Sequence, residues 1–431
     1  MCQRPIVPAD WTRFVAHAGR VRTFIYRDYD NGGWFYPALS MAATEEVLLP
    51  NLKELHWDVG FEEDDTFTFI RLFLGPHIKR LHLSLSGDLL VRLSFLHSLP
   101  LRYPSLTHVH LVDNSDQMDA ERFAILNAVS RVVCGWSQLR HLSVPNLSPV
   151  ALRHLAVLPT LEQLTLTDVI RDTPMAWPRF HTVPFFPSLR ELELTCDEMS
   201  FSIGLVEAMS SSPLTSITIH TYDDIPPLEC QDLFNALQCH CCHSSVTSII
   251  MDFSDISGHE DEPGIIPIHL KPLFVFSNLT NVTLGLPYGA PFDLDDTTMK
   301  ALALAWPRIR SLVLKGVYWG GTDSYPCVTI LGLVPLAQHC PELRTLSIRF
   351  DARSLPHLVA DSPTVTSEAL MELNVLTSPI VEPEGVAAFL FDIFPRAYVK
   401  YDADGLSKTF IERWQQVGDL MHACLRSAPE G

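Results

Sequence analysis

The chain is short of positive charge. Its 31 Lys and Arg face 50 Asp and Glu, a formal charge of −19, which would repel a polyanion and excludes nucleic acid as a partner. Charge of either sign is scarce as well: charged residues are 19% of the 431 positions and hydrophobic ones 47%. That surplus of apolar surface excludes disorder over most of the chain. No apolar run reaches the ~18 residues of a membrane helix; among the longest, Thr329 to Ala337, holds Pro335. The opening Met1 to Pro8 lacks the apolar core of a secretory leader. A protein of the cytoplasm or nucleus with no membrane partner is therefore expected, its ten cysteines reduced and the sequons at Asn146, Asn278 and Asn281 unused.

Enzyme signatures are missing too. The chain contains no G-x-x-x-x-G-K-[ST], no G-x-G-x-x-G after a strand, no H-E-x-x-H and no G-x-S-x-G. No catalytic residue and no cofactor is implied. Cys239-His240-Cys241-Cys242-His243, with Cys230 nearby, is dense in metal-ligand types. Structural zinc sites come as separated pairs, however, and adjacent ligands on a helix end over 230–242 point apart. Asp293-Leu-Asp295-Asp296 reads as a helix start, and Glu62 to Asp65 as a solvated loop.

Glycine is scarce where proline is not, 20 against 32, and the prolines mark a repeat. P-x-L-x-x-L-x-L runs through Pro159-Thr-Leu161-Glu-Gln-Leu164-Thr-Leu166 and Pro187-Ser-Leu189-Arg-Glu-Leu192-Glu-Leu194. With Ile allowed for Leu, it returns from Pro307 and from Pro341. With any bulky apolar residue, the frame starts at Val21, Leu52, Ile78, Leu106, Leu139, Leu161, Leu189, Leu214, Val246, Leu279, Ile309, Leu343 and Leu370. These thirteen units have a mean period of about 29 residues, the range of leucine-rich repeats. Each unit alternates like a one-sided strand. Thr297 to Trp306, after the Asp295-Asp296 signal, and Val150 to Leu158 alternate like helices that stop at Pro307 and Pro159. Proline is expected two residues before the first apolar position, at the start of the strand.

The fold class expected is α/β: a leucine-rich-repeat solenoid, or horseshoe, with parallel strands on a concave face and helices and irregular loops on the convex one. Residues 1–20 form an N-terminal cap helix, N-capped by Asp10, carrying Trp11, Phe14 and Val15 on one face and ending at Gly19. The array occupies 21–382 and a C-terminal cap 383–431. In that cap, Val386–Phe394 is a helix and Ala397–Asp402 a last strand. A closing helix buries Phe410, Ile411, Trp414, Val417, Met421 and Cys424. The segments 171–187 and 255–264 are irregular insertions.

Positions three, five and seven of each unit face outward. They present Glu54, His56 and Asp58; Arg80 and His82; His108 and His110; His141; then Glu191 and Glu193, with Lys315 and Arg349 further on. His56, His82 and His110 hold one position on consecutive strands. They are either part of an ordinary polar face or a titratable ladder able to grip an acidic ligand or chelate a metal. A groove whose chemistry changes along its length suits a protein target.

Arg4-Pro-Ile-Val-Pro-Ala-Asp-Trp11-Thr-Arg-Phe14 and Arg20-Val-Arg-Thr-Phe24 resemble the segment joining the F-box to the first repeat in F-box/leucine-rich-repeat proteins of mushroom-forming fungi. Ile393-Phe-Pro395 and Trp414-Gln-Gln-Val417 resemble that family's C-terminal end. The resemblance implies a substrate receptor of an SCF-type ubiquitin ligase, in which the F-box holds a Skp-type adaptor beside a cullin and the repeats hold the target. The F-box itself is missing, since no Leu-Pro-x-Glu opening stands near Met1 and Leu49-Pro50-Asn51-Leu52 belongs to a repeat. Adaptor and cullin are thus partners only if an F-box is present upstream, and a standalone repeat scaffold or inhibitor is the alternative.

Overall fold

The computed structural model describes residues 6–27, 35–43, 45–58, 65–85, 88–113, 119–169, 185–209, 212–221, 225–253, 267–286, 292–316, 326–355, 365–403 and 407–427. The expected insertions 171–187 and 255–264 and the loop from Glu62 lie wholly or mostly outside the described residues. The strands follow one another in the sheet in chain order, a fourteen-stranded α/β repeat fold with helices between the strands. The chain divides into two compact units, Met1–Thr195 and Cys196–Gly431.

The first unit holds β1 (Thr23–Arg27), β2 (Glu54–Asp58), β3 (Arg80–Leu85), β4 (His108–Asp113), β5 (His141–Val144), β6 (Gln163–Val169) and nearly all of β7 (Glu191–Cys196). Its helices are α1 (Pro8–Ala18), α2 (Tyr36–Ala42), α3 (Leu89–Arg102), α4 (Asp119–Cys134) and α5 (Pro149–Ala156). Each strand from β1 to β5 pairs in parallel with the next. Alternation decides the packing, because side chains two apart share a face. Leu55, Leu81, Val109, Leu142 and Leu164 stand in one register row, and all are buried. A polar interior exception is Arg92 of α3, 1% exposed and paired with Asp113 at 3.3 Å and Glu121 at 3.0 Å.

The second unit holds α6 (Met199–Ala208), β8 (Ser216–Thr221), α7 (Pro227–His240), β9 (Ser248–Asp252), β10 (Asn281–Gly285), α8 (Asp296–Ala305) and β11 (Ser311–Lys315). After these come α9 (Val334–His339), β12 (Thr345–Ser347), β13 (Glu372–Asn374), α10 (Pro383–Ile393), β14 (Tyr398–Lys400) and α11 (Lys408–Ser427). Its strands from β8 to β14 also pair in parallel, with Ile217, Ile249, Val282, Leu312, Leu346, Leu373 and Val399 in the buried row.

One backbone device recurs at nearly every strand. Just before the strand, two successive N–H groups donate to a single carbonyl of the preceding repeat. Lys79 and Arg80 give to Lys53, Thr107 and His108 to Lys79, and Arg140 and His141 to Thr107; in the second unit Thr280 and Asn281 give to Thr247, and Arg310 and Ser311 to Thr280. Strand entry is thereby tied to the unit before it, whatever the intervening chain does.

Several sequence expectations need correction. Pro50, Pro76, Pro104, Pro159, Pro187, Pro307 and Pro341 all sit in turns and not at strand starts, each four residues ahead of its strand. A fixed φ suits a turn position, whereas the strand start needs its N–H for the shared carbonyl. For the same reason Leu161 and Leu189, buried as expected, lie just ahead of β6 and β7. Asp10 is not the N-cap: α1 starts earlier, and the Asp10 carboxylate accepts the N–H of Val7 at 3.0 Å from inside the first turn. Trp11 is buried, but Phe14 and Val15 are exposed. In α11, Trp414, Val417 and Met421 are buried, Phe410 and Ile411 only half so, and Cys424 lies on the exposed side. Asp295 caps α8 as expected, accepting the N–H of Thr298 at 2.6 Å, while Asp296 accepts from the N–H and hydroxyl of Thr329, both at 2.7 Å.

Candidate functional site: the open face of the first unit

Parallel pairing turns the outward positions of the first unit into rows. One row runs Thr23, Glu54, Arg80, His108, His141, Gln163; the next runs Ile25, His56, His82, His110, Ser143, Thr165. Glu193 of β7 stands beside the second row, its carboxylate accepting from the Thr165 hydroxyl at 3.3 Å. Glu191 is exposed at the start of the same strand. The ten outward residues expected on β2 to β7 therefore stand at the alternate, non-core positions of their strands.

The histidines touch. His56 and His82 rings stack with centroids 5.2 Å apart, His82 and His110 at 4.0 Å, and His108 and His141 at 4.2 Å. Strand spacing of about 4.8 Å sets these separations, because each residue stands opposite its register partner. The outer members are held from the side. His56 Nε2 meets the Glu54 carboxylate at 2.9 Å, and Arg80 reaches that carboxylate at 3.3 Å. Ser84 donates its hydroxyl to Asp58 at 2.8 Å. His108 Nδ1 shares a hydrogen bond of 2.8 Å with Thr107, and His141 lies 3.9 Å from Glu162, which Arg140 holds at 2.7 Å. The central rings differ: among the described residues, neither His82 nor His110 has a hydrogen bond or carboxylate partner on a ring nitrogen. Both are half-buried.

Electrostatics follow from this crowding. Burial, then the His82 and His56 rings, push His110 down to about 4, with Asp58 acting the other way. His82 is lowered by burial, then by His56 and Arg27, and Asp58 again opposes. His108 is lowered by burial, then by His141, Arg80 and Arg140, against Glu162. Glu54 is lowered because His56 hydrogen-bonds its charged form, with Arg80 adding to the effect. His110 thus stays uncharged at neutral pH, burial biases His82 and His108 the same way, and the charges of Glu54 and Arg80 beside them are paired.

A groove of about 220 Å³ runs over these rows. Ser143, Gln163 and Thr165 help to line it. They occupy the frame positions of the histidines on β5 and β6, so the repeat register points to them, although their chemistry draws less notice. Ring planes within 12–26° of one another aim their nitrogens along parallel planes and not toward a common centre. Among the described residues, no three His, Cys, Asp or Glu side chains are placed to hold a metal ion. The cysteine–histidine cluster is split likewise: Cys230 and Cys241 are buried, Cys239 and Cys242 are exposed, and His243 bonds the Gln238 carbonyl. Lys315 is exposed on β11, but Arg349 lies beyond β12 and donates to the Thr377 carbonyl. No described helix is long and apolar enough to cross a membrane.

No family model matches the chain, and no curated protein is similar to it. Among solved structures it is similar to an internalin (InlF) of Listeria monocytogenes, at 13% identity and a TM-score of 0.43, over 82% of this chain and 81% of that one. It is also similar to a chain of the Rad7–Elc1 complex of yeast, at 14% identity and a TM-score of 0.37, over 86% and 77%.

Proposed function

We propose that this protein is a non-enzymatic protein-recognition module whose target lies across the open face of β2–β7. The observation that carries the reading is the pair of unpartnered imidazoles, His82 and His110, at the centre of a groove whose other charged groups are already matched. A face built only for solubility has no need to bring bare, stacked imidazoles together, since like groups this close resist protonation and lose hydration. Within the reading, the protein is the substrate-binding repeat domain of an F-box protein in an SCF-type ubiquitin ligase, working in the cytoplasm or nucleus. What supports the ligase link is the resemblance of the segments around Trp11, Phe24, Pro395 and Trp414. A Skp-type adaptor and a cullin join where an F-box precedes the repeats.

The test is affinity capture of the full-length transcript product from its native cell, with and without His56→Ala, His82→Ala and His110→Ala together. Wild type should bring down adaptor, cullin and a target, and the triple variant should keep the ligase components and lose the target. An unchanged set of captured proteins would remove the face from the reading. A target without adaptor or cullin would leave a standalone scaffold.

A further inference from the structure

We infer that the groove takes an extended peptide segment with one acidic side chain seated against His82 and His110 and one basic side chain six residues on, past the groove's β6 end, against Glu191 and Glu193, and that the acidic contact forms together with proton uptake by the imidazole stack. This rests on the recognition reading above and adds to it the chemistry of the partner.

The acidic position follows from which groups lack partners. Facing the central pair are His56, Glu54 and Asp58 from β2, Arg80 on β3 itself, His108 from β4, Arg27 from β1 and His141 from β5. Glu54 is engaged by His56 and Arg80, and Asp58 by Ser84. The stack therefore has a place for one more anion at its centre, and an entering carboxylate would favour the charged form of an imidazole beside it. Only one of two rings 4.0 Å apart takes a proton readily, so one carboxylate and one proton enter together. The neutral partner ring can still accept a hydrogen bond from the ligand backbone.

The basic position follows from β7, the strand just beyond the β6 end of the groove. Among the described residues Glu193 accepts a hydrogen bond only from the Thr165 hydroxyl, at 3.3 Å, and Glu191 is exposed on the same strand. From the middle of β3 and β4 to β7 is three and a half strand spacings, roughly 17 Å, which an extended peptide crosses in about five residues, so the sixth residue on is the first that reaches far enough with its side chain on the same face as the acidic one. Between these ends the groove offers Ser143 and Thr165, groups suited to a peptide backbone.

The probe is the blocked heptapeptide acetyl-Glu-Ser-Ala-Ser-Ala-Ser-Lys-amide, whose only anion is the glutamate side chain, with a Gln-for-Glu version as control. Calorimetry should show binding at least tenfold tighter at pH 5.5 than at pH 7.5, within the limit of tenfold per pH unit for one linked proton. The Gln probe, and wild-type probe on a folded His82→Gln/His110→Gln variant, should vary less than twofold over that range. Glu193→Gln should weaken binding at both pH values and leave their ratio unchanged. On the unaltered protein, ¹³C-labelled histidine signals should show His82 and His110 titrating at higher pH once the Glu probe is bound. Binding indifferent to pH, unmoved histidine titrations, or no binding at millimolar probe and pH 5.5 would overturn the inference. Loss of the captured target from the triple alanine variant alongside pH-independent probe binding would retain the recognition reading and discard this one.

Discussion

The two units use one inward rule and two outward chemistries. In the first, the open face carries stacked imidazoles among paired charges; in the second, the equivalent two rows from β8 to β12 hold Ser216, Thr218, Ser248, Ile250, Asn281, Thr283, Ser311, Val313, Thr345 and Ser347, small polar or aliphatic groups, and charge enters these rows at β13 and β14, where Glu372 pairs with Lys400 at 2.9 Å. The buried rows are interchangeable by contrast, Leu55 to Leu164 in one unit and Ile217 to Val399 in the other. Inward positions answer to packing, which only a bulky apolar side chain satisfies. Outward positions answer to whatever lies against them, and so can diverge between units without disturbing the core.

The comparison breaks first, and most expensively, at the inward rows. Leu164→Ala and Leu312→Ala should each cost about 2–5 kcal/mol in urea denaturation, because both delete a fully buried side chain. A loss below about 0.5 kcal/mol at either would show that its unit does not share the rule.

Acid sharpens the outward difference. His110 in the folded first unit titrates well below its unfolded value near 6.5, so the unfolded chain binds the extra proton. Its contribution to stability is present above pH 6.5 and is lost as pH falls from there toward about 4. The loss is on the order of 1–2 kcal/mol once solvent screening is allowed for. His110→Gln should flatten this part of the pH–stability curve. A curve that keeps its slope in this variant would mean that the stack is not what sets the titration.

The smallest effects belong to the second unit's surface. Arg310→Ala, which removes a pair with Glu342 at 2.7 Å between half-exposed side chains, should cost under about 1 kcal/mol and fade with salt. Thr283→Ala, on the open face, should fall within about 0.5 kcal/mol. A larger loss at Thr283 would give that face a structural duty of its own.

Much of this was legible in the sequence for one reason: a single register governs both faces. Once Leu192 and Leu194 were aligned with Leu164 and Leu166, their neighbours Glu191 and Glu193 had to point outward, and His56, His82 and His110 had to stand together. What was not legible depends on contacts between repeats. Nothing local says that Glu54 would engage Arg80 as well as His56 and leave His82 and His110 without partners, since Glu54 and Arg80 meet across 26 residues of chain. Nothing in its own helix marks Arg92 for burial, and Asp113 and Glu121, brought over it by the next repeat, explain it. Cys424 fits an apolar stripe by spacing, yet α11 turns it outward, because Trp414, Val417 and Met421 already fill the space against the last strands.

The shared carbonyl at each strand entry also bears on how such a chain changes length. Lys53, Lys79, Thr107, Thr247 and Thr280 all offer the same acceptor, and the residues that follow in the next repeat offer the same two donors. Every repeat therefore ends in one kind of socket and begins with one kind of plug, and neither depends on which amino acids supply it. A gene segment coding for one whole repeat can be duplicated or dropped, and the flanking repeats still find their backbone partners. Inheritance can thus add or remove one row of outward side chains at a time, altering the breadth of the recognised surface in whole steps while the interior is copied along with it.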